Sequence, residues 1–461
     1  MKSNVQHAVD LTENSITKLP LDSKSKVLPY TVIKLLTGGK VTARFDGKPD
    51  LVSILWNDKT ELLHIQDYEL AARVAEELWK EQVEGKNLLI AIQSTPVLLD
   101  LHKCALDKID KETRLARGRR KVLMCKDTTG CGYWRLALPA RHFDFNKYYV
   151  DVSQTEVIYD FLLEYDTIVV QRLFEWEQFY VVEKLKQAGK KVIYDIDDDI
   201  FNIPMSNPAH KLISDGKKES ARAIMNIADV IVTTTDLLAD ALGFKNKTVV
   251  IPNSIDLQSG YPQLSGVNAL DEKLIGLNDG YRRIFWQGSA THEFDWLECI
   301  EAVDRILREY DDVKVSIMGF MPEIVRKYWK DPKKPWWEDK IEYTKFDKVE
   351  NYISTMKKIR AEVGICPLED NAFNRNKSCI KFVEYTASLI PVITSKVSPY
   401  KEVIKSGKNG FAVENSSEWY DKIKTLLNDP SLRLEIVKNA RETVEKDFNI
   451  KKAVKLWEKI V

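Results

Sequence analysis

The chain has 461 residues, 44% of them hydrophobic and 30% charged, a globular composition with room for two to four domains. Lysine plus arginine equals aspartate plus glutamate at 69 each, so net charge supplies no general attraction to nucleic acid or acidic membranes. The six cysteines form no Cys-x2-Cys pair, which leaves no zinc framework and fits reduced thiols. No apolar signal core follows Met1, and no apolar run approaches the roughly 20 residues that span a bilayer. A cytoplasmic protein without a transmembrane segment is the expectation.

Residues 1–118 have their own apolar runs, Leu51-Val52-Ser53-Ile54-Leu55-Trp56 and Leu88-Leu89-Ile90-Ala91-Ile92, and a helical pattern over 68–82. They are expected to form a small α+β extension. Arg114, Arg117, Arg119, Arg120 and Lys121 crowd its end, a solvated linker or a track for a phosphate backbone. From Lys121 onward, short β-rich runs alternate with helical patterns, the signature of parallel α/β layers. The first series predicts strands at Lys121–Cys125, Thr167–Val170, Lys191–Asp195, Asp229–Thr233 and Thr248–Pro252. A helical pattern covers 155–164, and a loop-rich stretch over 257–281 is the expected linker. The second series predicts strands at Arg283–Gln287, Val313–Gly319, Glu362–Cys366 and Pro391–Thr394. The domains expected are therefore 119–265 and 282–430, with closing helices over 431–461.

Three constellations sit at strand ends. Thr128-Thr129-Gly130-Cys131-Gly132-Tyr133-Trp134-Arg135 follows the first strand; Gly130 and Gly132 permit close backbone approach to a ligand, and Arg135 can pair with phosphate as a fork. Asp195-Ile196-Asp197-Asp198-Asp199 sets four carboxylates in five positions, suited to acceptor hydroxyls, to a metal, or to solvent. Gly288-Ser289-Ala290-Thr291-His292 opens the second unit. Here Gly288 and Ser289 are expected at a diphosphate and His292 in the cleft, unless Ser289 or Thr291 only caps a helix from Glu293.

The densest chemistry lies between Asp370 and Val413. Apolar Ile380, Val383 and Ala387 predict a helix beginning near Asn376, with Lys377, Lys381 and Glu384 on one face over two turns. Two lysines beside free N–H groups at the positive end of the helix dipole suit a diphosphate, with Ser378 at the same turn. A carboxylate one turn deeper can accept from sugar hydroxyls.

This stretch, with Lys381-Phe382-Val383-Glu384-Tyr385, Pro391-Val392-Ile393-Thr394-Ser395 and Gly407-Lys408-Asn409-Gly410-Phe411, resembles the donor half of the family-4 glycosyltransferases, the glycosyl transferases group 1 type. The resemblance implies the GT-B fold: two Rossmann-like parallel-sheet domains facing a cleft, 119–265 on the acceptor side and 282–430 on the donor side, with a last helix that crosses back; residues 1–118 fall outside it and are expected to be related to the acceptor. It further implies a retaining transfer from a nucleotide-diphosphate sugar, Glu384 at the donor ribose, and no required metal or other cofactor. The family's Glu-x7-Glu pair is broken, because Asn376 stands eight residues before Glu384. Asn376 is then expected at a donor hydroxyl, unless Glu369 or Asp370 reaches in. Asp197, Asp198 and His292 are the candidate catalytic residues. The acceptor is left open among saccharide, lipid, protein and DNA. Two alternatives stand beside transfer to such a hydroxyl in general: glycosylation of a hydroxylated DNA base, and a non-catalytic binder of nucleotide sugar or of a partner.

Overall fold

A computed structural model describes residues 118–154, 162–257, 279–345 and 352–461, together with four strands nearer the N-terminus. Those four, β1 (Val32–Thr37), β2 (Val52–Trp56), β3 (Glu61–Ile65) and β4 (Asn87–Ile92), form an antiparallel sheet in the order β1-β4-β2-β3. Both apolar runs expected as structure in the extension thus fall on strands. The 68–82 helix, most of the 257–281 linker, most of the 155–164 helix, Arg114 and Arg117 lie outside the described residues.

The main body contains two parallel sheets. The first combines β5 (Arg120–Lys126), β6 (Tyr148–Gln154), β7 (Thr167–Gln171), β8 (Lys191–Asp195), β9 (Val230–Thr233) and β10 (Thr248–Val250) in the order β10-β9-β8-β7-β5-β6. Its pairings from β10 through β5 are all parallel. The second combines β11 (Arg282–Gly288), β12 (Val313–Gly319), β13 (Ile341–Thr344), β14 (Val363–Cys366), β15 (Val392–Ser395) and β16 (Phe411–Val413) in the order β13-β12-β11-β14-β15-β16, parallel throughout. These strands read as unbroken apolar runs because helices cover both faces; every residue of β14 and β15 is buried.

Ile284, Val315, Val363 and Ile393 of the second sheet pack with Val303 and Ile306 of the helix Ile300–Glu309 and with Ile423 of the helix Ser416–Asn428. Each such side chain contributes about 1.5–3 kcal/mol relative to exposure. The last helix, Ile450–Ile460, returns to the first domain. At its start Ile255 donates to the Phe448 carbonyl at 2.8 Å and Ile450 donates to the Ile255 carbonyl at 3.0 Å. Near its end the Glu458 carboxylate accepts from the Asp144 amide at 3.0 Å. Among the described residues, no helix is long and apolar enough to cross a membrane. Because both sheets are parallel, the carboxyl ends of β5, β7 and β8 and those of β11 and β12 converge on one cleft.

Candidate active site

The cleft has a volume of about 850 Å³ and is lined from both domains. Two glycines form part of its floor. Gly288 and Gly319 are register partners at the ends of β11 and β12. A Cβ on Gly288 would stand 2.6 Å from the Trp286 ring, and one on Gly319, at φ +97°, would stand 2.8 Å from the Gly288 carbonyl oxygen. Only bare backbone fits there, so a ligand can approach the main chain closely.

The expected donor helix begins later than its pattern suggested. A short helix, Ala372–Arg375, is capped by Asn371, whose side chain accepts from the Asn374 amide at 2.9 Å. The helix proper spans Ile380–Ala387, and no side chain caps it at Cys379. Residues 376–379 form the turn between the two, so Lys377 precedes the helix that carries Lys381 and Glu384. All three line the cleft nevertheless, as do Ser378, Gly288, Ser289 and His292.

Lys381 is the most telling of them. It is 6% exposed, and among the described residues its ammonium has no hydrogen-bond partner; the Trp286 ring lies 5.4 Å away. Burial lowers its pKa, Cys366 and the Asp295 and Glu384 carboxylates oppose that shift, and the positive charge of Lys377 adds to it. A buried cation held by no hydrogen bond is costly, and an anion in the cleft would offset that cost. Glu384, one turn on, is 4% exposed. Gln287 Nε2 donates to it at 2.9 Å, and the Tyr352 hydroxyl lies at 3.4 Å. Burial pushes its pKa up to about 8, against the attraction of Lys381 and the hydrogen bonds of Tyr352 and Trp134.

His292 ends a 3-10 turn, Ala290–His292. Its Nδ1 lies 2.7 Å from an Asp295 carboxylate oxygen. Burial, reinforced by Lys377 and Lys381, lowers its pKa to about 3, so the ring is neutral at ordinary pH. With Nδ1–H donated to Asp295, Nε2 is left as an acceptor. Ser289 bonds Thr291 between their hydroxyls at 2.7 Å and does not cap the turn.

On the opposite wall, Asp197 and Asp198 line the cleft with Arg172 between them. Arg172 Nε donates to Asp197 at 2.5 Å and Nη2 to Asp198 at 2.7 Å, and Asp127 lies 3.6 Å from Nη1. Arg172 follows β7 directly and has φ 51°, a left-handed conformation that costs a non-glycine residue about 1–3 kcal/mol. Its amide donates to the Asp195 carbonyl at 3.0 Å, fixing that geometry. Among the described residues, no group of three His, Cys, Asp or Glu side chains is arranged to hold a metal ion.

Several expected residues stand elsewhere. Arg135 is 2% exposed and absent from the cleft lining. It donates to Asp195 through Nη2 at 2.7 Å and Nε at 3.1 Å, and to the Ile251 carbonyl and Asn253 through Nη1. Its charge is thus committed inside the first domain and is not offered to phosphate. Gly130 lines the cleft, whereas Gly132 serves its own turn: its amide donates to Asp127 at 2.8 Å, and a Cβ there would stand 2.4 Å from the Asp127 carbonyl oxygen. The Asn376 side chain does not face the cleft; its Nδ2 donates across to Asp199 at 2.8 Å. Asp370 pairs with Arg375 at 2.6 Å and Glu369 accepts from Asn371, so neither reaches in. Trp134, Arg172, Gln287 and Tyr352 join the cleft unannounced.

Two facing Rossmann-like domains with a cation-lined cleft define the GT-B glycosyltransferase fold. HepE from Anabaena, in complex with UDP and glucose, shares it: 16% identity, 74% of this chain and 98% of that one covered, TM-score 0.52. A glycosyltransferase from Rickettsia africae gives 16% identity, coverage of 75% and 98%, and a TM-score of 0.51. The match to TarM from S. aureus spans 64% of this chain but only 55% of that one, at 13% identity and a TM-score of 0.47. No curated protein sequence matches the chain. Residues 271–443 match the family described as Glycosyl transferases group 1. The family match covers the second domain, and the likeness to these solved structures is one of fold.

Proposed function

We propose that the protein moves a sugar from a nucleotide-diphosphate sugar to an acceptor hydroxyl with retention of configuration. The observation that carries this reading is the buried, unpartnered ammonium of Lys381 on the cleft wall. It sits with Lys377 and Ser378 beside an uncapped helix start, where a diphosphate supplies the missing counter-charge. Lys377 and Lys381 then stabilise the charge that develops as the bond from the anomeric carbon to the leaving phosphate breaks. The acceptor oxygen bonds to the same face of that carbon, and its proton passes to the leaving phosphate. Glu384 holds the donor ribose, and neutral His292 accepts from a hydroxyl of the donor sugar through Nε2. Asp197 and Asp198 accept from the acceptor hydroxyls. Because Arg172 already compensates those two carboxylates, the reaction is expected to run without a divalent metal.

The test is a thermal-shift panel of nucleotides and nucleotide sugars, beginning with UDP because HepE, of the same fold, was crystallised with it. A donor at 100 times its dissociation constant adds about 2.7 kcal/mol of stability. Slow hydrolysis of the stabilising donor then reports catalysis. A panel that shifts nothing overturns the reading.

A further inference from the structure

The turn at 376–379 also divides the space between the domains. Thr235 Oγ1 donates to the Asn376 carbonyl at 3.1 Å, and Asn253 Nδ2 donates to Ser378 Oγ at 2.9 Å. These bonds separate the donor cleft from a second chamber of about 400 Å³, within the roughly 300–1,000 Å³ usual for small-molecule sites. Asn253, Ser378 and Ile380 line both. The second chamber is lined at the ends of β9 and β10 on one side and by the 398–403 segment and Phe448 on the other.

Its chemistry differs from that of the donor cleft. Among the described residues, no lysine or arginine lines it, while Asp236 and Glu402 do. Glu402 has Lys401 at 4.0 Å, the outer limit of an ion pair. Thr234 is 3% exposed, and among the described residues its Oγ1 has no hydrogen-bond partner although the residue lines the chamber. An orphaned buried hydroxyl costs about 1–3 kcal/mol until something bonds to it. Val250, Pro252, Ile380 and Phe448 supply apolar and aromatic surface. Acceptors, an unpaired hydroxyl and an aromatic face, without any cation, suit a ligand rich in hydroxyl donors and reject phosphate.

We propose that this second chamber binds one neutral sugar unit, hydrogen-bonded to Thr234, Asp236 and Glu402 and packed against Phe448. The proposal rests on the glycosyltransferase reading only for the origin of that sugar, either an inner unit of a saccharide acceptor or a free sugar acting as effector. The test uses the full chain, with UDP present to fill the donor cleft. Ligand-observed NMR and calorimetry follow the methyl glycosides of glucose, galactose, mannose and N-acetylglucosamine, with glucose 6-phosphate as the anionic probe. At least one neutral glycoside is expected to bind saturably and at least tenfold tighter than glucose 6-phosphate. Thr234→Val should weaken it about tenfold and Phe448→Ala further, both with UDP affinity unchanged and Thr234→Val melting like the parent. Absence of saturable binding across the four glycosides, equal binding of the phosphate, or indifference to both substitutions overturns the proposal. Elongation of the bound glycoside when donor is added identifies an acceptor subsite; altered donor hydrolysis without elongation identifies an effector. Failure of the donor reading shows separately, as absence of UDP binding in the same titrations.

Discussion

Replacing Lys381 by methionine separates binding from stability, because the ammonium destabilises the empty protein and serves only the occupied one. The substitution keeps the length of the side chain and its contact with Trp286 but removes a buried charge that lacks a partner. Relief of that unsatisfied group is worth about 1–3 kcal/mol, which should raise the melting temperature without ligand by about 2–5 °C. Loss of one charge-assisted hydrogen bond to the diphosphate costs about 1.5–3 kcal/mol, or about 10- to 150-fold in UDP affinity. The sign with pH follows. Burial holds the folded pKa of Lys381 below its unfolded value, so the unfolded chain binds the extra proton between the two. Stability without ligand should therefore rise with pH through that window, and Lys381→Met should lack the slope. Calorimetric UDP titrations and melting curves with and without UDP measure all three quantities. A variant that melts below the parent without ligand, yet binds UDP equally, would refute the anion-site argument.

Glu384 should report in the titration of binding. A ribose hydroxyl bonds best to the ionised carboxylate, so UDP affinity should strengthen as pH rises through about 8, and Glu384→Gln should flatten the profile and weaken binding about tenfold at pH 9. The stability linked to Glu384, complete below about pH 4.5 and lost as pH rises through about 8, should disappear in the same variant, as melting curves at pH 5 and 9 will show. For His292 the linked stability is present above about pH 6.5 and lost as pH falls toward 3; His292→Asn should unfold less steeply in acid. Arg135→Met should strand the buried Asp195 carboxylate and cost about 3–5 kcal/mol in denaturant unfolding, while surviving folded protein binds UDP normally. Activity should withstand EDTA, and loss restored by magnesium or manganese would turn Asp197 and Asp199 into metal ligands.

The layered architecture was legible because parallel strands covered on both faces appear as apolar runs, as in β8, β14 and β15. Lys377, Lys381 and Glu384 were legible because their spacing survives a misplaced helix start. The start itself was not, since the polar residues 376–379 resemble a first turn but are held as a turn by bonds to Asp199, Thr235 and Asn253, far away in sequence. Arg135 was misassigned for the same reason: its partner lies 60 residues on, and nothing beside it in sequence announces that a carboxylate has claimed the charge. Arg172 was within reach, standing one residue past a strand end like the glycine turns that were noticed, but a lone arginine gave no motif.

The two-sided use of residues 376–381 sets a rule for inheritance of this segment. Asn376 contacts the other domain, Lys377 and Lys381 line the cleft, and Ser378 does both. Individual substitutions there can be compensated separately. A one-residue insertion or deletion before Lys377 would instead shift all of these side chains at once, carrying the lysine toward the domain contact and the asparagine toward the cleft. The length of the turn should drift less than its letters.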